Sequence, residues 1–237
     1  MLFIASNDFP NWGDPESPAS THLSPHYIEK SMEETSVPNI VTSVLADYRG
    51  FDTMFETAVI FTAGIAVIFI LRQYKKKRKK WMIPEKEDDS KPDLIIQTVT
   101  RLLIPFIQIF ALYVVAHGHH SPGGGFQGGV IFGASFILLG ISFRLKTIFK
   151  QMNEKRKILL ANIGILIFTG IGLICVILGA NFLDYSILET IIPGISPIEA
   201  RSHGILVVEI GVSIAVMAIM VVIYTNLSSN GKQDQGL

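Results

Sequence analysis

Five long apolar blocks constrain the fold of this chain more than any other feature of its sequence. A bilayer core of about 30 Å requires roughly 20 predominantly apolar residues per helical span, and each block reaches or approaches that length with its uncharged flanks. Hydrophobic residues make up 49% of the sequence and charged residues only 17%, which is outside the usual range for a soluble domain. We therefore predict an all-α integral membrane protein with about five transmembrane helices. The blocks are residues 55–71, 102–117, 128–143, 158–178 and 204–224.

The distribution of basic residues predicts the orientation of these spans. Of the 20 Lys and Arg residues, Lys30, Arg49 and Arg201 fall on one side of a five-span arrangement, and the other 17 fall on the opposite side. By the positive-inside rule the basic side is cytoplasmic, which places the N-terminus outside and the C-terminus inside. The net charge is zero, so nothing in the overall charge indicates a nucleic-acid partner.

Composition divides the chain into a head, a single span and a four-helix unit. The head is rich in proline, serine and acidic residues and predicts an irregular external segment. Apolar residues at helical spacing after Asn39, a suitable N-cap, predict a short interfacial helix before the first span. A run of lysines followed by acidic residues predicts a cytoplasmic linker. The predicted units are 1–38 (external segment), 39–74 (interfacial helix and first span), 75–92 (linker), 93–227 (four-helix unit) and 228–237 (cytoplasmic tail).

A glycine-rich turn between the second and third blocks is the most specific local motif. It contains a GxGxxG pattern, but a dinucleotide site requires a preceding strand in a βαβ unit, and here a membrane span precedes the pattern. Glycine permits unusual dihedral angles and close backbone approach, so we expect a tight entry into the membrane followed by a smooth glycine stripe for helix packing. The candidate residues of this structural turn are Pro122, Gly123, Gly124, Gly125, Phe126 and Gly129.

Three histidines, His117, His119 and His120, open the same turn. They are compatible with a metal site, with the lining of a proton or ion path, or with hydrogen bonding at the membrane interface. One short segment supplies all three and no carboxylate lies at ligand spacing, so we predict no metal site.

Glu209 is the strongest single-residue candidate for a functional site, because it lies inside the fifth span, where an ionisable group is energetically costly and suggests a function. The alternative is a neutral glutamate that joins helices by hydrogen bonds. The predicted topology brings four ionisable residues to the same half of the bundle, where they could line one polar vestibule. These ion-path candidates are Glu56, His117, His203 and Glu209. A charged cluster at the membrane interface consists of Asp47, Arg49 and Asp52.

None of the five predicted spans contains an interior lysine, so the chain lacks the lysine-bearing relay of a complete proton pump. We therefore expect it to act together with partner subunits.

The motifs resemble a known family. The segments RLLIP at 101–105, GHHSPGGGFQGG at 118–129 and SHGILVVEIG at 202–211 resemble the B subunit of Mrp-type multisubunit Na+/H+ antiporters, the MnhB domain. The segment NIVTSVLADYRGFDTMFE at 39–56 resembles the C-terminal end of the antiporter A subunit and the E subunit of membrane-bound hydrogenases.

This resemblance implies a non-catalytic subunit of a cation/proton antiporter in a bacterial or archaeal cell membrane. The implied partners are antiporter-like large subunits, small helical subunits and the lipid bilayer. The implied transported ions are Na+ and H+, with no cofactor. In that family the B subunit is required for exchange and lies where a sodium path has been proposed, so the resemblance places Pro122 and Phe126 in a structural element near that path.

Three functional hypotheses remain open from the sequence. The first is a subunit that contributes to the sodium path or to assembly of the proton-translocating subunits. The second is the same kind of subunit in a redox-driven complex related to membrane-bound hydrogenase. The third is a scaffold that makes no contact with an ion.

Overall fold

The computed structural model describes residues 6–77, 94–143, 147–148, 152–229 and 231. The described residues are almost entirely helical and contain no β-strand. Five of the helices are long and apolar enough to cross a membrane, which confirms the predicted all-α, five-helix class.

The helices follow the chain in a simple order. Among the described residues, two short α-helices precede the five membrane-length ones, and short 3-10 or π-helical segments occur at Ser6–Asp8, Ala19–Leu23, Val44–Tyr48 and Tyr185–Thr190. The α-helices are α1 (Ser24–Thr35), α2 (Ile40–Ser43), α3 (Gly50–Lys77), α4 (Leu94–Ala116), α5 (Gly125–Phe143), α6 (Glu154–Ile177) and α7 (Pro197–Ser228).

Capping residues extend the last two helices beyond their apolar blocks. Asn153 caps α6 by accepting a hydrogen bond from the Arg156 amide at 2.9 Å. Ser196 and Glu199 form a reciprocal capping box at the start of α7, with Pro197 in the first turn. Hydropathy alone does not detect these polar first turns, so α7 begins well before the predicted span.

The long helix α7 lies at the centre of the bundle. In its most apolar window 61% of residues are buried, whereas α3 and α4 each bury only 17% of theirs. Small residues allow the close packing. A Cβ atom on Gly164 of α6 would lie 2.5 Å from the Gly211 carbonyl oxygen, and one on Gly129 of α5 would lie 2.6 Å from the Ser213 carbonyl oxygen. Close backbone contact is therefore what joins α5 and α6 to α7.

The prediction of an irregular segment over residues 1–38 is wrong for Ser24–Thr35, which forms α1. Pro25 lies in the first turn of this helix. Backbone amides in a first turn have no partner within the helix, so the missing N–H of proline costs no hydrogen bond there, and its fixed φ suits a helix. The helix ends at Thr35, and its C-cap residue Ser36 has a φ of 56°. Proline here marks the start of a helix. The side chain of Tyr27 stacks on Tyr48 with ring centroids 4.9 Å apart, so α1 packs against the interfacial segment.

The interfacial helix starts where the sequence predicts. Asn39 is extended, with φ −81° and ψ 102°, and its side chain accepts a hydrogen bond from the Val41 amide at 3.1 Å. The helix is α-helical only over α2 and continues as the π-helical segment Val44–Tyr48. Most of the predicted linker 75–92 and of the predicted tail 228–237 lies outside the described residues, and the other predicted unit boundaries stay predictions.

One lysine is buried at the end of a span, just before the predicted block 158–178. Lys157 lies in the first turn of α6 and is fully buried. Its ammonium group donates a 2.7 Å hydrogen bond to the Thr225 hydroxyl of α7, and the nearby carboxylate of Glu154 attracts it. In the sequence Lys157 falls in a basic segment that is predicted to be a loop. In the structure α6 begins directly after its N-cap residue Asn153, so Lys157 lies within the helix.

We expect the substitution Lys157→Met to lower the free energy of unfolding by about 2 kcal/mol, because it removes a charged hydrogen bond between α6 and α7. The measurement is the thermal midpoint of the protein in detergent. Lys155→Met is the matched control, because Lys155 lies on the exposed face of the same helical turn. Equal midpoints for the two variants would contradict a stabilising role of Lys157.

Candidate functional site

Glu209 is buried at the end of the bundle that carries residues 117–124, which we call the turn end. It is 7% exposed and lies about 18 Å along α7 from Pro197 at 1.5 Å per residue. Glycines surround its carboxylate. A Cβ atom on Gly124 would lie 2.6 Å from Oε1, and one on Gly118 would lie 2.9 Å from Oε2. Side chains at these two positions would occupy the space that the carboxylate needs.

The backbone of the turn also requires glycine. Gly124 has a φ of +119°, which residues with a Cβ rarely adopt. Gly125 then starts α5 against the backbone of Glu209, and its amide lies near the carboxylate. The turn therefore brings a helix start directly to a buried acidic side chain. An amide at a helix N-terminus favours the negative charge of such a group.

Asn39 fixes the turn from the other part of the chain. Its side-chain amide donates hydrogen bonds of 2.8 Å to the carbonyl oxygens of Gly118 and Ser121. Its backbone amide donates to the His119 carbonyl oxygen, also at 2.8 Å. The hydroxyl of Thr42 adds a 2.8 Å bond to the same Gly118 oxygen. We call these four bonds the Asn39 clamp. The sequence did not predict the clamp.

A cavity of about 80 Å³ lies between the clamp and the glycine turn. Segments of α2, α3, α5 and α7 enclose it, and Glu209 is the one ionisable residue in its described lining. The cavity is lined by Val41, Thr42, Leu45, Ala46, Thr53, Gly123, Gly124, Gly125, Phe126, Gln127, Val208, Glu209 and Val212.

His119 is the ionisable neighbour of Glu209. Its Nε2 lies 3.9 Å from Oε2 of the carboxylate, too far for a direct hydrogen bond, and both side chains are largely buried. Neither of these two atoms has a hydrogen-bond partner in the described part of the chain. Burial lowers the pKa of His119, and the nearby His120 and His203 lower it further. The neutral imidazole is therefore favoured beside the carboxylate.

The four residues of the predicted vestibule do not all line this cavity. His117 is exposed and stacks on Tyr113, with ring centroids 4.2 Å apart. His203 and Glu56 are also exposed, and neither belongs to the described lining of the cavity. Only Glu209 of the four faces the cavity. Residues at one membrane depth can point to different sides of their helices, so a shared depth does not place them in one cavity. An ion-path role for Glu56, His117 and His203 stays a prediction.

The glycine stripe of α5 packs as the sequence predicts. Gly125, Gly129 and Gly133 all face α7. Within the turn, Phe126 is 39% exposed and also lines the cavity, whereas Pro122 is exposed. Gly123 packs against Val114, because a Cβ atom there would lie 3.1 Å from the Val114 carbonyl oxygen. A functional role for these turn residues stays a prediction.

The charged cluster of Asp47, Arg49 and Asp52 divides into two pairs. Asp47 accepts a 2.9 Å hydrogen bond from Nε of Arg201 in α7, 154 residues away. Burial raises the pKa of the Asp47 carboxyl, and Arg201 opposes that effect. Arg49 pairs instead with Asp52 on the exposed surface. The first pair joins the interfacial segment to α7 and the second is local.

The three histidines of the turn do not assemble a metal site with acidic residues. In the residues that the structure describes, no three His, Cys, Asp or Glu side chains are arranged so that they could hold a metal ion. The arrangement is that of one buried carboxylate beside one histidine. The absence of a bound metal stays a prediction.

The fold and the site together define a class of protein: a multi-pass helical membrane protein with a buried acidic site at one end of its bundle. Residues 95–222 match the family described as a domain related to the MnhB subunit of Na+/H+ antiporter, and residues 15–88 match the family of the E subunit of MBH. The first match covers more than half of the chain, so the chain belongs to the MnhB-related family. Both resemblances inferred from the sequence are confirmed.

Two curated relatives show the extent of this similarity. The antiporter subunit mnhB2 of Staphylococcus aureus (strain Newman) is 31% identical over 136 residues, which cover 57% of this chain and 94% of that protein. The probable K(+)/H(+) antiporter A/B subunit of Rhizobium meliloti (strain 1021) is 25% identical over 190 residues. The matched region covers 73% of this chain but only 18% of that relative.

Two solved structures share the fold over nearly all of the chain. The Mrp complex from Dietzia sp. DQ12-45-1b contains a chain with a TM-score of 0.69 and 23% identity, and the match covers 91% of this chain and 24% of that one. The membrane-bound sulfane sulfur reductase, an archaeal respiratory membrane complex, contains a chain with a TM-score of 0.59 and 28% identity. That match covers 91% of this chain and 92% of the other.

Proposed function

We propose that this chain is a membrane subunit of a multisubunit cation/proton antiporter, with Na+ as the exchanged cation, and that Glu209 lies on the cation path. The observation that carries the proposal is the buried carboxylate of Glu209 at an 80 Å³ cavity in a chain of the MnhB-related family. The proposed location is a bacterial or archaeal cell membrane, with the turn end facing outside.

The chemistry of the cavity suits exchange between a cation and a proton. A carboxylate is the preferred kind of ligand for a hard cation, and the same oxygen atoms bind a proton. Because burial favours the neutral state, a carboxylate in this position gains from taking up either ion. Glu209 therefore supplies one site at which the two ions compete, without a cofactor.

The exposed apolar surface of the bundle supports the proposal that this chain is part of a larger complex. Most residues of α3 and α4 in their apolar windows are not buried by this chain, so lipid or other subunits must cover them. Both solved neighbours are parts of membrane complexes. We propose antiporter-like large subunits and small helical subunits as the partners.

Everted membrane vesicles that contain the complete complex test this proposal. We expect Na+ addition to collapse an imposed pH gradient, and we expect removal of this chain to abolish at least nine-tenths of that response, because the cation path is then incomplete. Re-expression of the chain should restore the response. Undiminished exchange without the chain would contradict the proposal. Parallel addition of K+ identifies the cation that the complex prefers.

The alternative of a redox-driven complex is favoured by one specific observation. The chain matches the family of the E subunit of MBH and covers 92% of a chain in the sulfane sulfur reductase complex. Purification of the complex through a tag on this chain separates the two proposals. Iron–sulfur polypeptides that remain bound in stoichiometric amount would support the redox-driven complex, and their absence together with cation-dependent exchange would support the antiporter.

A further inference from the structure

The cavity at Glu209 is shared between the two family segments of the chain. Thr42 of α2 and Thr53 of α3 belong to residues 15–88, which we call the MBH-related segment. Glu209 and the glycine turn belong to residues 95–222, the MnhB-related segment. Neither segment alone encloses this space. The polar atoms that face the cavity must therefore be considered together.

The hydroxyl protons of both threonines are already used within the protein. The Thr53 hydroxyl donates to the Leu45 carbonyl oxygen at 2.7 Å, and the Thr42 hydroxyl donates to the Gly118 carbonyl oxygen at 2.8 Å. Each hydroxyl oxygen then has only acceptor capacity left. Thr42 uses part of that capacity for the amide of Asn39, at 3.1 Å, whereas no protein group donates to Thr53 in the described part of the chain.

The Glu209 carboxylate, the ionisable group of the described lining, is also a hydrogen-bond acceptor. The Glu209 carboxylate lies near the Gly125 amide, and its Oε2 has no hydrogen-bond partner among the described residues. Besides the Gln127 amide, which has both an acceptor and donors, the side chains of the cavity contribute hydroxyl oxygens without free protons and one buried carboxylate. Such a lining repels an anion and favours a small hard cation.

We propose that this cavity is a composite binding site for a monovalent cation, with Glu209, Thr53 and Thr42 as its oxygen ligands and the Asn39 clamp as its positioning element. One carboxylate balances one positive charge. A volume of about 80 Å³ holds an alkali cation with two or so waters, at roughly 30 Å³ per water. This inference rests on the proposed antiporter function and adds the ligands that determine cation affinity.

The test compares Thr53→Val with Thr53→Ser in vesicles that contain the whole complex. Valine keeps the shape of threonine and removes the ligand oxygen, whereas serine keeps the oxygen. We expect Thr53→Val to raise the apparent KM for Na+ about tenfold with little change in the maximal rate, and Thr53→Ser to remain within about twofold of the wild type. A role in packing alone would lower the maximal rate and leave the KM unchanged.

Thr62→Val is the matched control, because Thr62 is an exposed threonine of the same helix whose hydroxyl bonds to its own helix backbone. It should leave the KM unchanged. If Thr53→Val prevents assembly, Thr53→Cys replaces it, because sulfur has a similar size and is a poor ligand for alkali cations. The same rise in KM is then expected.

An unchanged KM for Na+ and K+ in the assembled Thr53 variant would overturn the composite site. The proposed function would still stand if Glu209→Gln stopped exchange in the same vesicles. Wild-type exchange in Glu209→Gln would instead remove Glu209 from the cation path and the composite site with it. A change in proton dependence alone, with no effect on cation affinity, would identify the cavity as a proton site and would also overturn the inference.

Discussion

Replacing Gly125 with alanine is expected to prevent the native packing of α5 on α7. A Cβ atom at Gly125 would lie 2.0 Å from the Glu209 carbonyl oxygen and 2.7 Å and 2.8 Å from its carbonyl carbon and Cα. All three contacts are with backbone atoms, so no side-chain rotation relieves them. The two helices must separate, and overpacking of a well-packed core costs on the order of 3 kcal/mol or more. The separation also opens the Glu209 cavity.

The measurement for Gly125→Ala is the yield and thermal midpoint of the folded protein in detergent. Gly170→Ala is the control, because Gly170 lies within α6 and a Cβ atom there would have no atom within 4 Å. Alanine is the better helix former by about 0.5–1 kcal/mol, so the control should be as stable as the wild type or more stable. Wild-type yield and midpoint for Gly125→Ala would show that the two backbones are not in close contact.

The membrane helices were predictable because their signal is local. Each apolar block corresponds to one membrane-length helix, since a span must be apolar along its whole length. The N-cap at Asn39 and the glycine stripe of α5 were also predictable, because capping and small-residue spacing depend on neighbours within one or two turns. Hydropathy does not detect the polar first turns of α6 and α7, and one of these turns contains the buried Lys157.

The long-range contacts of the site were not predictable from one sequence. The Asn39 amide bonds to residues 79 and 82 positions away, and Asp47 pairs with Arg201 154 positions away. His119, and not His117, lies beside Glu209. The turn between α4 and α5 has no helical periodicity, so the sequence spacing does not indicate which way each histidine points. One signal was present: an asparagine N-cap uses only its side-chain oxygen, which leaves the amide free to bind elsewhere.

The Asn39 clamp gives a physical reason for the two family segments to act as one unit. The MBH-related segment supplies the clamp and one wall of the cavity, and the MnhB-related segment supplies the carboxylate. The clamp bonds all end on carbonyl oxygens of the turn, so they hold its backbone without touching Glu209 itself. The position of the buried carboxylate therefore depends on both segments.

Glu209→Gln is the second substitution with a large expected effect. Glutamine has the same shape, and its oxygen can still lie beside the Gly125 amide, so the glycine turn should keep its structure. The substitution removes the negative charge and the ability to take up a proton. If cation and proton compete at this carboxylate, neither ion can be exchanged there, and we expect assembled complexes to lose at least nine-tenths of their exchange.

The control for this substitution is Glu189→Gln. Glu189 is an exposed carboxylate in the Tyr185–Thr190 segment and does not belong to the described lining of the cavity. It should leave exchange and assembly unchanged, so a loss specific to Glu209 cannot result from a general change in charge. Assembly is checked for both variants by co-purification of the partner subunits.

The rate of Na+/H+ exchange in vesicles with equal amounts of assembled wild-type and Glu209→Gln complex tests the central claim most directly. If Glu209 lies on the cation path, the variant complex assembles and its exchange rate falls at least tenfold at saturating Na+. An exchange rate equal to that of the wild type would show that the carboxylate only joins helices and that the cation crosses elsewhere.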